Sequence, residues 1–447
     1  MRELENTVRD VVEAYKYSGF IHDSIRERDF FLTYFVSCLL NHLESGRYSK
    51  LLSAMALASD EITVEYKNDA HKQLFKGLSI QATNNSDHFE LMEKQLRFLH
   101  EDNVLKGCSA HQITIIYDRV LQRLQNMNVD DRLSKKFKYQ LAVPLDFSEL
   151  ISQLANRKSY HHAYDPFATT GESSVSYLLR NEDVAITTES VMQSTQYITH
   201  KLVLAGATQI EAKYSYALSP IANVKPMSFD VAYTLFQPTE TSEVAEYEKQ
   251  KSYGKKFLDG RINEDTVFDK YREHGFIQHI LWSLKSEGIG FVILGKGPLH
   301  RQFESDARKL LLEQNVIDAV IQLPAKLTAS RPLALYLLVL KKNRADNREI
   351  KFIDATSFYT FDGKQNKLDR LSQLAELYLN DGAESELMAK VSPRSIDDNS
   401  SLLTVSTYVQ TSQHVNDEID STLIRKELSR QQVLTDHLLS KLKKLPH

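Results

Sequence analysis

The feature that most constrains this chain is a series of short, almost uninterrupted apolar runs separated by amphipathic stretches. Beyond about residue 160 the runs read "HAYDPF", "DVAITTES", "ATQIEAKYS", "FDVAYTLF", "GIGFVILG", "VIDAVIQL" and "ALYLLVLKK". Helical stretches such as "ESDARKLLLEQN" lie between them, and glycine or proline flanks several. A strand without polar alternation has to be covered on both faces, and crossover helices supply that cover. The pattern predicts a doubly wound, mostly parallel α/β sheet. The last two runs lie close together, which allows an antiparallel pair at the edge. Ligands of such sheets sit beyond the carboxyl ends of the strands, where the strand order reverses.

Residues 1–135 follow another period. Leu4, Val8, Val11, Val12 and Tyr15 recur at helical spacing, and Asp29 stands where it could cap the next helix. Within "DFFLTYFVSCLLNHL", Leu32, Phe35, Val36, Leu39, Leu40 and Leu43 form one face of a buried helix. "QITIIYDRVLQRLQNM" continues the pattern, and the near absence of glycine and proline argues against tight-turned strands. Beyond residue 385 the chain turns polar, with "SPRSIDDNSS" reading as a linker. A final amphipathic helix carries Ile424, Leu428, Leu434, Leu438, Leu442 and Leu445, either docked on its own domain or offered to a partner. The expected organisation is therefore a helical domain over 1–135, an α/β domain over 136–385 and a helical tail over 386–447.

A net charge of −4 gives no global field for nucleic acid. A DNA partner would be held by local basic stretches, "RLSKKFK" at 132–138, "KQKSYGKK" at 249–256 and "LSKLKKL" near the end, each of which also reads as a solvated face. Two cysteines, Cys38 and Cys108, are too few for a disulfide framework or a cysteine zinc site and suit a reducing cytoplasm. The longest apolar run is too short to cross a bilayer, and the charged N-terminus lacks a signal-peptide core. The pair His161–His162 precedes a strand and reads as structural; no metal is expected.

The run from "FIQHILWSLKSEGIGFVILGKGPL" through "ARKLLLEQNVIDAVIQLPAKL" to "LALYLLVLKKN", "IKFIDATSFY" and "NKLDRL" resembles the modification (M) subunits of type I restriction–modification systems. These are adenine-N6 DNA methyltransferases that use S-adenosylmethionine. The resemblance implies a helical N-terminal domain, a Rossmann-like methyltransferase domain with a seven-stranded, mostly parallel sheet, and a short helical C-terminal tail. It covers 110–380 well and the N-terminal helices loosely.

The family holds its cofactor over a glycine-rich turn after the first strand, similar to Asp-Pro-x-x-Gly-(Ser/Thr)-Gly, because the backbone must approach the ligand closely. In "DPFATTGES" the residues Asp165, Pro166, Thr170 and Gly171 match, while Thr169 replaces the first glycine. Glu189 in "TTES" stands where the family's second-strand acid accepts the ribose hydroxyls. "LAVP" keeps Pro144 of an aromatic-Thr-Pro element but has Val143 at the threonine, and "YSYALS" lacks the acid that faces the adenine. By resemblance, Asp165, Pro166, Thr170, Gly171 and Glu189 form a vestigial S-adenosylmethionine site.

Methyl transfer to adenine N6 needs acceptors for the amine's protons, because its lone pair is delocalised into the ring. The family supplies them with Asn/Asp-Pro-Pro-Phe/Tyr after the fourth strand, whose aromatic stacks on the flipped base. Aligned on "FDVAYTLFQPTE", Leu235 takes the Asn/Asp position, Phe236 and Gln237 the prolines, and Pro238 the aromatic. Leucine accepts no hydrogen bond, and losing oriented groups at a charge-developing centre costs on the order of 10²-fold or more. The resemblance therefore implies a catalytically inactive, methyltransferase-like subunit of a bacterial DNA restriction–modification or phage-defence complex. Its partners would be DNA, a specificity subunit, a paralogous methyltransferase or a further copy of itself. The alternative is an active adenine-N6 methyltransferase with a divergent motif.

Overall fold

A computed structural model describes residues 2–127 apart from 19–24, 57–64, 85 and 102–103; 145–235 apart from 156–159, 169–170, 191–194, 216 and 220; residue 261; and 273–409 apart from 328–332, 347, 362, 364–365 and 382–384. The apolar runs become strands β1 (His162–Asp165), β2 (Ala185–Ser190), β3 (Gln209–Tyr214), β4 (Phe229–Leu235), β5 (Leu284–Leu294), β6 (Ile317–Gln322) and β7 (Tyr336–Lys341). Four more follow: β8 (Ile350–Asp354), the hairpin pair β9 (Tyr359–Phe361) and β10 (Asn366–Leu368), and β11 (Met388–Val391).

Nine of them make one sheet in the order β11-β8-β6-β7-β5-β4-β1-β2-β3. Strands β1 to β6 and β8 run one way, and β7 and β11 are reversed. The order turns around at β1, which pairs with β2 on one side and β4 on the other. The crevice above the carboxyl ends of β1 and β4 is therefore the place where a ligand is expected.

Three expectations are corrected. The antiparallel pair is not at the edge: β7 inserts between β5 and β6 and bonds both. The sheet has nine strands and not seven, because β8 extends it parallel to β6 and β11 closes it antiparallel to β8. "MAKV" of β11 is only half-buried, so it needs no apolar run and leaves no periodic signal. The stretch read as a linker forms a helix, Pro393–Asp398, whose N-cap Ser392 accepts from Ser395 N at 3.2 Å. Ile396, Leu403, Val405 and Val409 are buried with the sheet, so its core reaches past residue 385.

The sheet's two faces are distinct apolar cores. Tyr164, Phe229, Ala232, Ile280, Val292 and Leu338 belong to one, and Ala163, Val231, Tyr233, Phe291 and Val339 to the other. Each valine, leucine, isoleucine or phenylalanine among them contributes about 1.5–3 kcal/mol when fully buried. On the first face the helix Glu273–Ser283 lies close over β5 because Gly290 carries no side chain; a Cβ there would stand 2.8 Å from Ile280 Cγ2.

The N-terminal region is helical: Arg2–Tyr17, Ile25–Leu43, Ser49–Ala56, Asp69–Asn84, Ser86–Leu96, Phe98–Glu101 and Ala110–Met127. The helix Ile25–Leu43 is covered on every side from Phe30 to Leu40, not on one face alone. Asp29 lies inside that helix and does not cap it; its carboxylate accepts from Tyr197 OH at 2.7 Å. These helices share the second core with the sheet, in one cluster running from Val8 to Tyr378. At the seam, His200 of the helix Thr195–Leu204 bonds Tyr117 OH at 2.8 Å and Thr33 Oγ1 at 3.4 Å, and Lys201 Nζ meets Asp118 at 2.5 Å. Burial pushes the His200 imidazole down to about 3, so it is neutral there. No helix among the described residues is long and apolar enough to cross a membrane.

Candidate functional site

The first-strand turn keeps its backbone geometry. Gly171 has φ +82° at the head of the helix Glu172–Leu178, and a Cβ would meet Ile198 Cγ2 at 3.3 Å. Asp165 ends β1 with 2% exposure and spends its carboxylate on the turn. Its Oδ1 accepts from Phe167 N at 3.1 Å, and its Oδ2 from Ser173 Oγ at 2.9 Å and Ser174 Oγ at 3.4 Å. Pro166 is buried beside it. Thr169 and Thr170 lie outside the described residues, as do Val143 and Pro144.

Glu189 sits on β2, in the neighbourhood of Asp165: Asp165 pairs with Thr188, and Ala168 N donates to Glu189 O at 2.9 Å. Its side chain is fully buried and both oxygens are engaged. Oε1 accepts from Tyr164 OH; Oε2 accepts from Ser215 Oγ at 2.6 Å and Asn223 Nδ2 at 3.1 Å. Behind Tyr164 the chain of bonds continues. Tyr164 Oη lies 2.7 Å from His279 Nε2, His279 Nδ1 lies 3.2 Å from Arg261 Nη1, and Arg261 Nη1 also donates to Ala217 O at 2.9 Å.

Donor chemistry fixes the direction of this relay. A guanidinium only donates, so His279 Nδ1 is the acceptor and Nε2 carries the proton. His279 then donates to Tyr164, and Tyr164 donates to Glu189. Burial, helped by the Arg261 charge, pushes the His279 imidazole down to about 3 and keeps it neutral. Burial, with Glu189 as the next cause, raises the Tyr164 phenol well above its ordinary value, so it stays a donor.

A carboxylate offers about four acceptor positions. Three on Glu189 are filled from within the chain, so a ribose taking two of them would have to displace Ser215 or Asn223. Asp165 is likewise committed to its own turn. As bonded here, Glu189 does not offer the pair of free acceptors that the family pattern presents to a ribose. None of these partners was legible beforehand. Tyr164 and His279 left a faint sign, as polar groups inside apolar stretches, "HAYDPF" and "FIQHILW". Ser215, Asn223 and Arg261 lie 26, 34 and 18 positions from what they bond and left none.

At the catalytic position, Leu235 is the last residue of β4 and pairs with Ile293 of β5. The strand thus delivers its carboxyl end to the crevice beside β1. Phe236, Gln237 and Pro238 lie outside the described residues, as do the three basic stretches and the terminal helix. His161 and His162 are exposed, and it is their backbone amides that are held, both by Asp230 Oδ2 at 3.1 and 3.0 Å. No group of three or more potential metal ligands occurs among the described residues.

A nine-stranded sheet with this order and a site at the β1/β4 crevice can be compared with known proteins. The family model for N-6 DNA methylases matches residues 132–417. The chain belongs to the N-6 DNA methylase family. Within it, the methylase subunit of the type I restriction enzyme MpnII of Mycoplasma pneumoniae is 31% identical over 156 residues, 34% of this chain and 28% of that protein. The methylase subunit of MjaVIII from Methanocaldococcus jannaschii is 26% identical over 257 residues, 52% of this chain and 42% of that protein. The matched region thus spans less than half the length of either relative. The methyltransferase subunit of a type I restriction–modification system from Streptococcus thermophilus shares the fold, with a TM-score of 0.60 over 92% of this chain and 98% of that one, at 17% identity.

Proposed function

We propose that this N-6 DNA methylase family member is a subunit of a type I restriction–modification or phage-defence assembly that holds DNA and partner subunits in the cytoplasm without transferring methyl groups. The observation that carries the reading is the enclosure of Glu189 by Tyr164, Ser215 and Asn223, at the position where the family pattern needs a free acceptor. Leu235 at the end of β4 supports it, because a hydrocarbon cannot take a proton from an exocyclic amine wherever its side chain lies. The names of the relatives, methylase subunits of restriction enzymes, support partners such as a specificity subunit or an active paralogue.

The test is calorimetric titration of the purified chain with S-adenosylmethionine, beside a Glu189→Ala control. No heat at millimolar cofactor, and no methyl label transferred to DNA with or without partner subunits, is the expected result. Micromolar binding that the control abolishes would overturn the reading in favour of an active enzyme with a divergent motif.

A further inference from the structure

The carboxyl rim of the sheet carries a second surface, away from Asp165 and Glu189. In the sheet-bearing part of the described residues four aromatic rings stand in solvent: Tyr214, Phe303, Tyr359 and Phe361, at 57%, 61%, 43% and 64% exposure. Each comes at or after the carboxyl end of a strand running in the common direction, β3, β5 and β8. Two of the four share one strand, β9, two residues apart, so they point to the same side of the hairpin.

That hairpin is anchored. In the β9–β10 ladder Tyr359 faces Leu368 and Phe361 faces Asn366. Leu368 is buried, Asn366 N donates to Lys326 O at 2.9 Å, and Asn366 Nδ2 donates to Ala325 O at 2.8 Å. The rings are therefore displayed by a fixed element. Near them stand the exposed cations Lys326, whose carbonyl bonds Asn366, and Arg370, while Lys367 pairs with Thr360 and lies on the hairpin's other side. Arg370 lies 4.5 Å over the Phe358 ring and donates to Ser357 O, which preorganises its guanidinium. Lys326 and Arg370 both hold left-handed backbone, at φ +55° and +53°, although neither is glycine. The stretch 359–370 holds Lys364, Lys367 and Arg370 against Asp362 and Asp369, and Asp369 accepts from the Arg370 amide at 2.7 Å. In a chain of net charge −4 this is a local excess of positive charge.

Exposed rings on one face with cations at their margin match unpaired bases and the phosphates that join them. Cations held on a fixed backbone beside the rings favour a phosphate-bearing partner over an apolar one. We propose that the β9–β10 hairpin is a DNA-binding element that stacks unpaired bases on Tyr359 and Phe361 and holds their phosphates with Lys326 and Arg370. β8 lies four strands from β4, about 19 Å at the usual spacing, so the hairpin would grip DNA along the rim from the crevice. The proposal rests on the DNA-holding function above and places one of its contacts.

The test is fluorescence anisotropy of the full chain with a labelled single strand of about 20 nucleotides, its duplex, and RNA of the same sequence. The double variant Tyr359→Ala/Phe361→Ala should bind the single strand at least about tenfold more weakly and the duplex nearly as before. Lys326→Gln/Arg370→Gln should weaken both and reduce the salt slope for the single strand by about 1.4. If the wild type binds DNA and the ring variant, with an unchanged unfolding midpoint, binds within about twofold of it, the hairpin proposal falls alone. If the wild type binds no DNA, the proposed function falls with it. Binding of RNA alone would overturn the assignment to DNA. Light scattering that shows lost self-association with DNA affinity intact would assign the rings to a protein contact and overturn it as well.

Discussion

Tyr164→Phe isolates the relay that encloses Glu189. The phenylalanine keeps the ring, which stacks on Phe229 at 4.4 Å between centroids and 12° between planes, so the packing term is nearly unchanged. Only the hydroxyl is lost, and it serves two buried groups, Glu189 Oε1 and His279 Nε2. A hydrogen bond to a charged group contributes about 1.5–3 kcal/mol, and a stranded buried donor costs about 1–3 kcal/mol. The variant should therefore lose about 3–5 kcal/mol, near the upper end of single-substitution effects. Tyr233→Phe is the control: Tyr233 is equally buried, but among the described residues its hydroxyl bonds the neutral Ser174 Oγ alone, at 3.1 Å, which predicts about 1 kcal/mol. Trp282, the one tryptophan, stacks on His279 at 5.9 Å, so its fluorescence during urea unfolding reports the transition that dissolves the relay. A Tyr164→Phe cost no larger than that of Tyr233→Phe would refute the relay from His279 through Tyr164 to Glu189.

Stability should fall as the pH drops below about 6.5, because His200 and His279 are held neutral down to about 3 in the folded chain while their unfolded forms take up protons. Within that window each contributes about 1.4 kcal/mol per pH unit, and urea midpoints at several pH values should show His279→Gln removing one proton from the slope. Gly171→Ala should cost about 1–3 kcal/mol, since it puts a side chain at φ +82° and against Ile198, and thermal unfolding reads it. Arg308→Met should release residues 392–409 to limited proteolysis, because this buried guanidinium donates to Ser401 O at 2.7 Å, Arg301 O at 2.9 Å and Pro298 O at 3.2 Å.

The strands buried on both faces were legible because nothing but a continuous apolar run satisfies them; β5, β6 and β7 stand where their runs do. β11 and the β9–β10 hairpin were not, since half-buried or exposed strands of three or four residues carry no period long enough to read. Asp165, Gly171 and Glu189 were singled out only through their place in a motif, and the structure places them at or just beyond the ends of β1 and β2. What they bond to was hidden. A motif names the residue, but its partners come from β3, the β3–β4 connection and the helix Glu273–Ser283, which only the folded sheet brings together.

The seam between the N-terminal helices and the sheet has a mechanical consequence. Because His200, Lys201 and Tyr117 are buried across it beside one continuous apolar cluster, the two parts should not separate without unfolding. A fragment cut near residue 135 would expose Lys201 without Asp118 and a broad apolar face, and neither half should remain soluble. Whatever grips one part therefore moves the other as a rigid handle. A partner pulling on the helices would turn the carboxyl rim of the sheet by the same angle.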